Sequence, residues 1–203
     1  LAHFSIPMTT TALLPSFQSR VVPVVVITDP AQAVPMAEAL LAGGVDVIEI
    51  TLRSAAGLAA IEAVARAVPA MQVGAGTVTR ASEVAQVMAA GARFALSPGS
   101  TPALINAVLD AGLPFIPGVG SPSEAMAMRD AGFTLMKCFP AAQLGGVEVL
   151  KAWGGPLPDL RFCPTGGVSL ANMAQFLALP NVAMVGGSWL TPAAAVAAGD
   201  WAQ

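Results

Sequence analysis

The chain has two lysines, and one of them, Lys137, stands inside the apolar run Thr134-Leu-Met-Lys-Cys-Phe-Pro140. A lysine in such a run is buried in an interior or paired with an acid. Burial disfavours the ammonium form and leaves a share of neutral amine, which attacks ketones. Lys137 is therefore a candidate Schiff-base nucleophile, and equally an ion-pair partner inside the fold. Glu49 lies in a second apolar run and suits a general acid/base or a counter-ion for that lysine. Arg53, four residues later, can fork onto a substrate carboxylate or bond backbone at a helix entry. Both readings stay open at each residue.

Other chemistries are short of residues. The single histidine, His3, sits near one end, and the cysteines are two, Cys138 and Cys163. Zinc and iron sites and a Ser-His-Asp triad are therefore not expected. Each cysteine lies in an apolar segment, which suggests core packing and a reduced, cytoplasmic setting. Trp153, Trp189 and Trp201 read as packing or interface residues, and Lys151 as a solvated helix lysine. Nine Lys+Arg against twelve Asp+Glu give a net charge of −3, with no basic stripe for nucleic acid. No apolar run approaches the ~20 residues of a membrane span, and no secretory leader is legible.

The elements that must position these groups follow from pattern. The 203 residues are 55% hydrophobic and 10% charged, enough for a closed core and against disorder. Apolar runs at 21–27, 47–51, 72–77, 94–97, 114–117, 134–139, 161–165 and 183–186 read as strands. Each is followed by a turn and helix-start chemistry: Asp29-Pro30, 51–54, 79–83, Thr101-Pro102, Ser121-Pro122 and Ser169. Ser121 and Glu124 have capping-box spacing. Gly43, Gly91, Gly112 and Gly132 suit left-handed helix ends. Eight strand-helix units, with no Gly-rich dinucleotide loop after the first, predict a single α/β domain, a (β/α)8 TIM barrel. Residues 1–20 are expected to form an N-terminal extension, helix or plug, 21–189 to carry the eight units, and 190–203 to leave a short last helix or a truncated end.

In such a barrel catalytic groups cluster at the C-terminal ends of the strands. Those ends carry Glu49 and Arg53, Thr77, Pro98, Lys137 and Phe139. The last two loops carry Thr165-Gly166-Gly167 and Gly186-Gly187-Ser188. These last two loops form a recurrent phosphate site in barrels, built from backbone N–H groups and a short helix N-terminus. A phosphorylated substrate is expected.

The stretches Val21-Val-Pro-Val24, Glu49-Ile-Thr-Leu-Arg53, Gly74-Ala-Gly-Thr-Val78, Ser97-Pro-Gly99, Phe139-Pro-Ala141, Arg161-Phe-Cys-Pro-Thr-Gly-Gly167 and Gly186-Gly-Ser-Trp189 occur in this order across residues 20–200. In these stretches the chain resembles the class I 2-keto-3-deoxy-6-phosphogluconate (KDPG) aldolases, which overlap with the 4-hydroxy-2-oxoglutarate aldolases. The resemblance implies a Schiff base at Lys137 and proton shuttling by Glu49. It implies that Arg53 and Thr77 hold the pyruvate carboxylate, and that Phe139 and Pro98 line the pocket. It assigns Thr165, Gly166, Gly167, Gly187 and Ser188 to substrate, the glycines and serine to its phosphate. No metal or organic cofactor is implied, and a homotrimer is. A preference for 4-hydroxy-2-oxoglutarate, or a non-catalytic barrel subunit, are the competing readings.

Overall fold

Alternation along each strand divides side chains between two faces, and the burial pattern follows it. The computed structural model describes residues 12–201; His3 and the first part of the predicted extension lie outside them. Nine strand segments are present among the described residues. They are β1 (Val21–Val25), β2 (Val47–Thr51), β3 (Gln72–Gly76), β4 (Phe94–Leu96), β5 (Phe115–Ile116), β6 (Gly118–Val119), β7 (Leu135–Cys138), β8 (Arg161–Pro164) and β9 (Val185–Gly187). Eight α-helices are present among the described residues, one after each strand except β5: α1 (Ala33–Ala42), α2 (Gly57–Ala67), α3 (Ala81–Ala89), α4 (Pro102–Ala111), α5 (Pro122–Asp130), α6 (Gly146–Gly154), α7 (Met173–Leu177) and α8 (Ala193–Ala198). None of them is long and apolar enough to cross a membrane.

All strand pairings are parallel, in the orders β5-β4-β3-β2-β1-β9 and β6-β7-β8. The result is an α/β fold with a curled parallel sheet. The strand expected at 114–117 is instead two short segments, β5 and β6, on either side of Pro117. Proline has no N–H for a ladder bond, so the sheet breaks there. The Pro117 carbonyl still accepts from Lys137 N at 2.8 Å. Between β8 and β9 the contact is two isolated bridges, Phe162 with Val182 and Thr165 with Gly186.

Ile48 and Ile50 of β2, Val73 and Ala75 of β3, and Met136 and Cys138 of β7 face the helices in the main core. The opposite faces form a second apolar cluster from Val22, Val47, Phe94, Leu96, Ile116 and Leu135. Phe17 closes its lower end, 5.4 Å from Phe94 between ring centroids. The described part of the extension is thus a plug without a helix. Asp46 tethers it by accepting from Gln18 N and Ser19 N at 2.8 and 2.9 Å.

Some helix ends match expectation and others do not. Thr101 and Ser121 accept from the third residue onward, Leu104 N and Glu124 N. Glu124, however, reaches back to Gly120 N rather than to Ser121 N. Glu83 accepts from Thr79 N and Arg80 N. At 51–54 no cap forms: α2 starts at Gly57, and the Ser54 hydroxyl bonds the Ile27 carbonyl instead. Ser169 does not cap α7, whose first turn follows Asn172. Gly43 has φ −79°; the left-handed residue is Gly44 at +82°. The last helix, α8, has six residues, as short as expected.

Candidate active site

Above the apolar layer, the interior face turns polar. On β2 the inward series Val47, Glu49, Thr51 runs from the apolar cluster up to the mouth. On β7 the same period carries Leu135 and then Lys137. Glu49 and Lys137 therefore meet: Lys137 Nζ lies 3.1 Å from Glu49 Oε1, with side chains 5% and 1% exposed. The pair was expected on both readings, catalytic and structural. Glu49 Oε2 is buried and has no hydrogen-bond partner among the described residues. An orphaned carboxylate oxygen is costly in a core, and Glu49 is one of the residues that line a cavity. The Phe139 ring lies 5.5 Å from Lys137 Nζ, within cation–π range.

Neighbouring glycines make room for this arrangement. A β-carbon on Gly76 would stand 2.1 Å from Glu49 Oε1, and one on Gly74 would strike the Phe94 ring at 2.4 Å. Thr77 follows with φ +60°, a left-handed conformation that costs a β-branched residue strain and occurs where a site over-determines it. Gly166 and Gly167 have φ +91° and +78°. At Gly167 a β-carbon would sit 2.3 Å from that of Ala142. Asn172 clamps this loop, donating to the Gly167 carbonyl at 3.0 Å and accepting from Ser169 N at 2.8 Å. The expected helix N-terminus is not at this loop, because α7 begins at Met173 and is five residues long.

One cavity of about 250 Å³ takes in every candidate residue. Glu49, Lys137 and Phe139 line it together with Arg53, Thr77 and Pro98. Thr165, Gly166, Gly167, Gly187 and Ser188 complete the lining. Among the described residues the Arg53 side chain makes no bond to backbone; its Nε donates to Thr51 Oγ1 at 3.3 Å. It takes part in no ion pair among the described residues. The cavity thus brings together a guanidinium, an amine–carboxylate pair and two glycine loops. That set of groups suits an anionic substrate that carries a carbonyl.

A family model for KDPG and KHG aldolase matches residues 16–203. The chain belongs to the KDPG and KHG aldolase family. It is 54% identical over 184 residues to the 2-dehydro-3-deoxy-phosphogluconate aldolase of Pseudoalteromonas atlantica, covering 91% of this chain and 86% of that one. The KDPG aldolase of Legionella pneumophila, solved with pyruvate as a covalent carbinolamine intermediate, superposes with a TM-score of 0.88 at 46% identity. The match covers 90% of this chain and 89% of that one. The Zymomonas mobilis ZM4 enzyme with 3-phosphoglycerate gives a TM-score of 0.84 at 40% identity, over 89% of this chain and 88% of that one.

Against this KDPG and KHG aldolase background, sequence reasoning missed two lining residues, Val24 and Val168. Val24 was legible in principle, since it shares the inward period of β1 with Val22. Cys163 was read as ordinary core. It faces inward beside Lys137 in the β7–β8 register, with Sγ 3.9 Å from Thr165 Oγ1. Burial pushes its thiol up to about 12, with Lys137 pulling the other way. Cys138 points to the helices as expected, and burial likewise raises it to about 12. Both are protonated, inert thiols at neutral pH.

Proposed function

We propose that this chain is a metal-independent class I aldolase that cleaves KDPG into pyruvate and glyceraldehyde 3-phosphate. The observation that carries this reading is the buried Lys137–Glu49 pair at 3.1 Å within a cavity that also holds a guanidinium and two glycine loops. Membership of the aldolase family supports it, as does the covalent pyruvate in the Legionella relative. Glu49 accepts the proton that Lys137 Nζ must lose before it attacks the C2 ketone. The carbinolamine formed there loses water, with Glu49 returning a proton to the departing oxygen. The resulting iminium draws the electrons of the C3–C4 bond as the C4 hydroxyl is deprotonated. Glyceraldehyde 3-phosphate leaves, and a pyruvate enamine stays on Lys137. Protonation at C3 and hydrolysis release pyruvate and regenerate the amine.

In this reading Arg53 and Thr77 take the carboxylate, Pro98 and Phe139 flank the ketone carbon, and Thr165 borders the reacting centre. Gly166, Gly167, Gly187 and Ser188 take the phosphate. We also read residues 1–203 as one domain and its sheet as a closed (β/α)8 barrel. The β8–β9 bridges and the single residue between β5 and β6 support that closure. A homotrimer in the cytoplasm completes the proposal, the two buried unpaired thiols supporting a reducing setting.

Borohydride reduction in the presence of pyruvate is expected to add one pyruvyl mass at Lys137, and Lys137→Ala to abolish both adduct and turnover. An active preparation that is not trapped overturns the imine mechanism. The family description also covers 4-hydroxy-2-oxoglutarate. A higher kcat/KM for that unphosphorylated acid than for KDPG, unaltered by Ser188→Ala, would transfer the substrate assignment to it.

A further inference from the structure

Thr51 is 1% exposed and completes the inward face of β2 above Glu49. Its Oγ1 donates to the Val25 carbonyl of β1 at 3.0 Å and accepts from Arg53 Nε at 3.3 Å. A hydroxyl has one proton. Spending that proton on Val25 turns the oxygen lone pairs toward the guanidinium, so Thr51 is an acceptor for Arg53 and nothing else.

The consequence lies in where Arg53 can go. Its side chain borders two spaces, the 250 Å³ cavity with the Lys137–Glu49 pair and an adjoining cleft of about 610 Å³. That cleft is bordered by Val26, Thr28, Gln32 and Thr191. An exposed arginine with no ion-pair partner has many rotamers, and ordering it on binding weakens affinity. The bond at Nε leaves both Nη groups without a hydrogen bond among the described residues, and a carboxylate takes such a pair of donors in bidentate fashion.

We propose that Thr51 is a positioning residue, which holds the Arg53 guanidinium on the Lys137 side of the mouth for the substrate carboxylate. The proposal rests on the role given to Arg53 above. Thr51 does not touch substrate; it acts through Arg53 and is anchored by the neighbouring strand. Loss of the hydroxyl therefore weakens carboxylate binding without changing the chemistry at C2.

The test is a double-mutant cycle read by steady-state kinetics in the aldol direction. Thr51→Val is expected to raise KM for pyruvate about five- to tenfold, the net scale of one hydrogen bond. kcat should stay within about twofold, because the interaction is the same in ground and transition states. Thr51→Ser keeps the hydroxyl and should restore KM. On an Arg53→Ala background, Thr51→Val should add nothing. Thr51→Ala is measured alongside by the same criteria, so that poor folding of the valine variant does not leave the question open. An unchanged KM in Thr51→Val and Thr51→Ala, or the same increase with Arg53 absent, overturns the positioning role while leaving the aldolase reading intact. An Arg53→Ala variant with unaltered pyruvate KM instead overturns the carboxylate role of Arg53.

Discussion

Glu49 has its place because β3 carries glycine where a side chain would stand. A methyl group at Gly76 would overlap its carboxylate, and backbone pairing across β2 and β3 prevents either strand from giving way. Gly76→Ala is expected to lower kcat by about a hundredfold, the scale of displacing a catalytic group by an ångström. Borohydride-trapped pyruvate at Lys137 and an unaltered circular dichroism spectrum would separate this from unfolding. The two thiols set a pH dependence. Folding raises Cys138 and Cys163 from an ordinary thiol value near 9 to about 12. Their protonated forms favour the native state, so stability is full below about pH 9 and is lost as pH rises toward 12. The urea midpoint should fall between pH 8 and pH 10, and fall less in the Cys138→Ala/Cys163→Ala double variant. Lys137 was legible in the chain because lysine is so rare in it. The neighbourhood of Cys163 was not, because Lys137 and Cys163 meet only through the register of β7 and β8.

At the scale of elements, β-branched runs located the strands to within a residue or two, since such runs fit a sheet buried on both faces. The departures have local causes. Pro117 divides one expected strand into β5 and β6, and Gly118 beyond it allows close approach: a β-carbon there would lie 2.3 Å from the Pro98 backbone. Thr101-Pro102 and Ser121-Pro122 behaved as helix starts because hydroxyl and proline both favour that position. The segment 51–54 has similar residue types but serves the neighbouring strand: Thr51 bonds the Val25 carbonyl and Ser54 that of Ile27. A hydroxyl has no preference between a helix end and an adjacent carbonyl until the tertiary structure supplies one of them.

For the molecule as a whole, the low charge follows from two apolar layers, one between strands and helices and one inside the curled sheet. Some apolar side chains stay outside: Val26 is 41% exposed, Met126 46% and Leu170 69%. Burial of such residues between copies would accompany the trimer proposed above. Sedimentation equilibrium at micromolar concentration should report three chains per particle, and a monomer would overturn the assembly. Residue type and alternation are properties of the linear chain, and they were enough to single out the lysine, the glutamate, the arginine and the glycine loops as candidates. Distance is not such a property. Glu49 and Lys137 are separated by 88 positions, and their meeting at 3.1 Å depends on parallel pairing, strand stagger and the gap left by Gly76. So does the hold of Thr51 on Arg53, whose outer partner, the Val25 carbonyl, belongs to another strand. Side-chain chemistry is local and can be read in order, whereas the angles and spacings that make it a reaction centre arise when the sheet curls.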